Sequence, residues 1–209
     1  MVHRTPSILP FFYPSLTWRM PADNKTLYLT FDDGPVPGPT EFVLETLQKF
    51  NIKATFFCIG ENIRKHPELF KMILNHGQTI GNHTFNHLNG WRTDRNSYLE
   101  NVRLCKAEME NHFLSGSENK PLFRPPYGRI TRNQIKSLSA YQIIMWDVLS
   151  IDYNKNLRSE KCLKNSVAVT RPGSIIVFHD SYKAEKNLTY VLPRFIEHFL
   201  TQGFTFSGI

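Results

Sequence analysis

Leu27-Tyr28-Leu29-Thr30-Phe31-Asp32-Asp33-Gly34-Pro35 is an apolar run that ends abruptly on two carboxylates and a Gly-Pro pair. Residues rich in Leu, Tyr, Thr and Phe predict a strand over Leu27–Phe31. Asp-Gly and Gly-Pro are turn signals, so the acids could simply cap the turn that leaves the strand. Two neighbouring carboxylates nevertheless repel unless a cation or a shared proton relieves them. The stretch is therefore a candidate site as well as a strand.

Working outward, similar apolar runs predict strands at Ala54–Ile59, Thr79–Asn82, Leu122–Arg124, Ile143–Leu149, Ser174–Phe178 and Gly203–Phe206. Helical periodicity fills the gaps. Val43, Leu47 and Phe50 share one face of a helix over Thr40–Phe50, and Leu192, Phe195, Ile196 and Phe199 share one face of a closing helix. Ser97 with Glu100 and Thr131 with Gln134 have capping-box spacing, and Gly77 follows the last turn of a helix starting near Pro67. Strands alternating with helices make an α/β protein with a parallel sheet, either an open doubly wound sheet or a closed TIM-like barrel. Asp32 and Asp33 follow the first strand, His83 the third and His179 the sixth, while Arg124 ends the fourth and Asp147 lies late in the fifth. Polar groups at equivalent strand ends converge on the mouth of a barrel, which favours the closed form.

The 209 residues suit a single catalytic domain over 1–209, and 41% hydrophobic with 21% charged residues excludes disordered and fibrous classes. The formal charge of +7 comes from cations scattered in ones and twos, which reads as solvated surface; no nucleic-acid motif accompanies it. Cys58, Cys105 and Cys162 are too far apart for a metal knuckle and odd in number, so reduced, partly buried thiols are expected. The proline-broken N-terminal segment is a poor signal peptide and no apolar run is long enough to span a bilayer, so the expectation is a cytoplasmic protein. Nothing in the sequence sets the oligomeric state.

His83-Thr84-Phe85-Asn86-His87 places two imidazoles four residues apart, one face of a helical turn, where both could reach one metal ion. Alone, such a pair is weak. With Asp33 from a neighbouring strand end it becomes a facial N,N,O set that leaves positions for water and substrate, suited first to Zn2+ and tolerant of Co2+, Ni2+ or Mn2+. Trp91 could edge a sugar groove, its ring covering the apolar side of a pyranose, or could simply pack on the surface. Asn82, Asn24 and Asn187 each begin a glycosylation triplet, but a glycan on Asn82 would obstruct the metal set, so the triplets read as chance matches.

Between about Leu27 and His179 the chain resembles the polysaccharide deacetylases of carbohydrate esterase family four, also described by their NodB-homology domain. Thr30 to Pro35 is similar to the family's first motif, with one Asp as base and the next on the metal. His83-Thr84-x-x-His87 is similar to the second, with two metal ligands and a hydroxyl that braces the loop. Arg124-Pro125-Pro126-Tyr127 is similar to the third, whose Arg orients the base and whose Tyr backbone amide helps form an oxyanion hole. Ile176-Val177-Phe178-His179 is similar to the last, which supplies the general acid. The resemblance implies an irregular (β/α)7 barrel that uses one divalent metal ion to hydrolyse N-acetyl groups of an acetylated glycan, with Asp32, His179, Arg124 and Tyr127 catalytic and Asp33, His83 and His87 ligating. One motif departs. Where the family carries D-x-x-D-W/Y, its first Asp pairing with the catalytic His, this chain has Leu149-Ser150-Ile151-Asp152-Tyr153. Strand alternation puts Asp147 on the face of Leu149, so Asp147 is expected to replace the missing partner, or else to pair with Arg124 or be structural. A relative acting on O-acetyl esters or a small amide, and a degenerate glycan-binding fold, are the alternatives.

Overall fold

The structure, a computed structural model, describes residues 3–21, 24–112 and 120–209. Its central strand is β1 (Thr26–Asp32), flanked by β2 (Thr55–Cys58) and β7 (Ile175–His179). Outward from β2 lie β3 (Thr79–Asn82), β4 (Leu122–Phe123) and β5 (Gln142–Ile143), and outward from β7 lies β6 (Val148–Leu149). β8 (Thr205–Phe206) pairs with the start of β1. Every strand pair is parallel. From Leu29 to Asp32 β1 is almost wholly buried, as a parallel strand covered on both faces must be.

The ends of this order, β5 and β6, are two halves of one extended run. Ile144 N–H continues the ladder with β4 by donating to Phe123 O (2.8 Å), and Asp147 N–H begins the ladder with β7 by donating to Ile175 O (3.1 Å). The span expected as one strand over Ile143–Leu149 is thus divided by hydrogen bonding yet closes the ring. Counted as one, it leaves the seven strands of an irregular (β/α)7 barrel. Residues of the N-terminal segment fill the seam: Thr17 bridges to Ile144, Arg4 to Val148 and Arg19 to Ser174.

Helices cover the outside: α1 (Ile8–Phe12), α2 (Pro39–Lys49), α3 (Gly60–Lys65), α4 (Pro67–Asn75), α5 (Arg95–Glu110), α6 (Arg132–Ser137), α7 (Ser159–Val169) and α8 (Glu185–Thr201). The α8 stripe of Leu192, Phe195, Ile196 and Phe199 is buried, about 1.5–3 kcal/mol for each side chain removed from water. Thr131 and Gln134 form their capping box on α6, and Gly77 takes φ 63° just past α4. The cap expected at Ser97 lies elsewhere: Asp94 caps α5, accepting from Ser97 N–H at 3.0 Å, while Glu100 pairs with Arg103. The three cysteines are fully buried rather than partly so, and burial pushes the Cys105 and Cys162 thiols up to about 12.

Candidate active site

The β1–β7 register puts Asp32 directly beside His179, so the barrel mouth opens between a carboxylate and an imidazole. Arg124 enters beneath them from the end of β4 and is wholly buried. Its guanidinium donates through Nη1 to Asp32 Oδ1 (2.7 Å) and Thr30 Oγ1 (2.7 Å), and through Nε and Nη2 to the carbonyls of Ile144 (3.3 Å) and Met145 (3.0 Å). It also stacks over Phe57, 4.1 Å from the ring centre. A cation fixed at so many points anchors one oxygen of Asp32. The other, Oδ2, is left facing His83 Nε2 at 3.9 Å.

Asp33 turns out of the strand at φ 83° and brings Oδ1 to 3.2 Å from His87 Nε2 and 3.7 Å from His83 Nε2. Burial alone would raise the Asp33 pKa, but the His87 hydrogen bond and the imidazoles of His179, His83 and His87 outweigh it and hold the carboxyl well below its ordinary range. Burial pushes His83 down to about 4, with Asp32 opposing, so its ring is neutral. His83 Nδ1 lies 2.8 Å from Arg124 O, which can only accept. The proton is therefore on Nδ1 and the Nε2 lone pair points at Asp33 and His87. His87 is steadied by the Tyr127 hydroxyl, 3.1 Å from its Nδ1.

Ligand atoms of Asp33, His83 and His87 all lie within 4.8 Å of one another. Two imidazole nitrogens with one carboxylate oxygen, one ring held in the ligating tautomer, fit a divalent cation of the borderline N,O type. The HxxxH pair converges without a helix. His83 to His87 is a loop in which Thr84 (φ 63°) and His87 (φ 56°) are left-handed. Side chains of Asn82 and Asn101 hold it: Asn82 Oδ1 accepts from Thr84 N–H, Asn101 Oδ1 accepts from Phe85 and Asn86 N–H, and Thr84 Oγ1 accepts from Leu88 N–H. The Asn82 amide donates inward to Val102 O and that of Asn187 to Asp152 O, so neither faces a glycan.

Asp147 does not reach His179. It accepts from Arg171 Nε and Nη2 (both 3.1 Å) and from Ser174 Oγ (2.7 Å) at the start of β7, with Arg4 at 3.7 Å. The partner of His179 is Asp152, fully buried, with Oδ1 2.7 Å from Nδ1 and Oδ2 accepting from the His179 N–H at 2.8 Å. The alternation argument fails because the chain leaves strand geometry after Leu149: Ile151 is left-handed (φ 61°), and the turn swings Asp152 back onto β7. Burial pulls the His179 pKa down, but Asp152 first, then Asp33 and Asp32, carry it up to about 9. With Nδ1 committed to Asp152, Nε2 is the atom available to the mouth.

Tyr127 sits at φ 60° in a short 3-10 turn whose backbone bonds run from Gly128 N–H to Pro125 O and from Arg129 N–H to Pro126 O. Among the described residues the Tyr127 amide makes no such bond. Trp91 lies outside the cluster; it is exposed and its indole N–H donates to Ile130 O (3.2 Å). Asp180 has no counterpart in the sequence reading. It is fully buried, accepts from Gly34 N–H (3.1 Å) and Thr40 Oγ1 (2.7 Å), and so ties the Asp33-Gly34 turn to α2. Only its position next to His179 could have signalled it.

A sequence profile described as polysaccharide deacetylase matches residues 19–146. A peptidoglycan-N-acetylglucosamine deacetylase of Bacillus cereus is 36% identical over 163 residues, 77% of this chain but 58% of that protein. A second Bacillus cereus protein with the same description is 31% identical over 204 residues, 93% of this chain and 91% of its own. Among solved structures, a peptidoglycan N-acetylglucosamine deacetylase in complex with 4-naphthalen-1-yl-N-oxidanyl-benzamide superposes with a TM-score of 0.88 at 30% identity, covering 98% of this chain and 95% of the other.

Proposed function

The chain belongs to the polysaccharide deacetylase family, and we propose that it removes acetyl groups from N-acetylglucosamine units of a peptidoglycan-type or chitin-type glycan, with Zn2+ as its metal. The observation that carries this reading is the pairing of two oriented proton-transfer groups, Asp32 on Arg124 and His179 on Asp152, across the Asp33-His83-His87 cluster.

Asp33, His83 and His87 would hold the ion, which supplies polarisation of the acetamide carbonyl and a more acidic water. Asp32, held at Oδ1 by Arg124, offers Oδ2 to take a proton from the attacking water. The Tyr127 N–H is free of its own turn and donates to the oxygen that gains charge. An amine leaves only if it is protonated. His179 Nε2 delivers that proton, and Asp152 holds the ring in place and favours its charged form. The products are acetate and a free amino sugar.

The test is acetate release from peptidoglycan fragments, chitooligosaccharides and O-acetylated xylan by chelator-treated protein to which single metals are returned. Release from the N-acetyl substrates with Zn2+ supports the reading. Turnover confined to the ester, or undiminished by chelation, overturns it.

A further inference from the structure

We infer that the face formed by α1 (Ile8–Phe12) and the adjoining α6 (Arg132–Ser137) docks on an anionic phospholipid bilayer. Residues 3–21 and 120–146 contain Arg4, Arg19, Lys120, Arg129, Arg132 and Lys136, besides the buried Arg124, and no Asp or Glu. With Arg124 paired to Asp32, the other six carry six of the seven formal net charges of the whole chain, so elsewhere cations and acids nearly cancel. The two stretches are joined in one body. Leu16, Tyr13 and Trp18 pack against Leu138, Ile135, Tyr141 and Trp146, and the Arg132 guanidinium lies 5.8 Å from the centre of the Tyr13 ring. Arg4 has the already bonded Asp147 nearby; among the described residues Lys120, Arg129, Arg132 and Lys136 have no ion-pair partner.

Beside Arg132, α1 presents an apolar stripe. Ile8, Phe11 and Phe12, spaced one helical turn apart, are 55%, 77% and 55% exposed. A helix normally turns such a stripe inward; here Tyr13, just past the helix, packs on the body and the stripe faces solvent. The combination selects its partner. A hydrated polyanion would satisfy the arginines but gains nothing from three apolar side chains, and a second copy would set like charge against like. An anionic bilayer offers headgroups to the cations and an acyl boundary to Ile8, Phe11 and Phe12. No helix among the described residues is long and apolar enough to cross a membrane, so the contact lies at the surface.

Cosedimentation of the full chain with vesicles of equal parts phosphatidylglycerol and phosphatidylcholine, against phosphatidylcholine alone, tests this. Binding is expected only to the anionic vesicles and is expected to weaken with salt. Arg132→Gln/Lys136→Gln should lower the partition about 25-fold, roughly fivefold per cation, and Phe11→Ser/Phe12→Ser about tenfold or more. Both variants should deacetylate a soluble chitooligosaccharide as the parent does. Phe11→Trp keeps the stripe and should show blue-shifted emission on anionic vesicles. Equal binding to both vesicle types, no loss on Phe11→Ser/Phe12→Ser, or unshifted Trp emission overturns the inference. So does complete competition by soluble polyphosphate, which would mark a polyanion site.

Discussion

Replacing Asp152 by Asn removes the charge beside His179 while keeping an oxygen in hydrogen-bond reach of Nδ1, 2.7 Å away in the parent. Asp152 is the largest of the influences that raise His179 to about 9, and burial, which is larger than any of them, pulls the other way. Without the carboxylate the pKa falls toward the ordinary 6.5. A lower pKa means that imidazolium is lost at lower pH, so the basic limb of the rate profile moves to the acid side. At about pH 8 the protonated fraction drops from roughly 0.9 to roughly 0.03, a loss of about 30-fold in a step that needs the acid; at about pH 6 the loss is under about twofold. The assay is acetate release from one defined chitooligosaccharide between about pH 5 and pH 10, with metal content measured alongside. A basic limb that coincides with the parent's refutes the assignment of His179 as an acid tuned by Asp152. A loss of equal size at every pH refutes the electrostatic argument and leaves Asp152 only a holder of the ring.

Asp147→Asn should leave that limb in place, since its bonds run to Arg171 and Ser174; loss of a half-exposed pair costs about 1 kcal/mol and lowers Tm by about 2–4 °C, read by thermal denaturation. Asp32→Asn should keep metal affinity and lose most turnover, whereas Asp33→Asn and His83→Ala should lose both, as metal titration with a chromophoric chelator would reveal; parallel titration curves for the two Asp variants would erase the division of roles. Gly34→Ala should disrupt the turn, because its Cβ would meet Asp180 Oδ2 at 1.9 Å, and metal affinity should fall with it; an alanine variant that binds metal as tightly as the parent would show that the turn need not be held there.

The strands were legible because a strand buried on both faces is written as an unbroken apolar run, and the runs at Leu27, Ala54, Thr79 and Ser174 fall within two residues of the observed elements. The clustering of Asp33, His83 and His87 was legible because they follow the ends of β1 and β3, which flank β2 in one parallel sheet. What misled was the assumption of regular backbone between those ends. His83 and His87 meet through two left-handed residues held by Asn82 and Asn101, partners that no periodicity announces. Asp152 stood inside the Leu149–Tyr153 segment already singled out, but counting by strand alternation cannot follow a chain that turns at Ile151. Asp180 went unnoticed because its role depends on a missing atom, the Cβ that Gly34 lacks.

The run from Gln142 to Asp152 carries two duties at once. Its early carbonyls, at Ile144 and Met145, seat the guanidinium that aims Asp32, and its far end supplies the carboxylate that grips His179. Asp32 and His179 stand on neighbouring strands, yet both are braced from this one stretch of backbone. It acts as a calliper: its length in residues sets where the two jaws close. An insertion or deletion between Met145 and Asp152 would therefore do more than loosen a strand, because neither brace could keep its place without displacing the other.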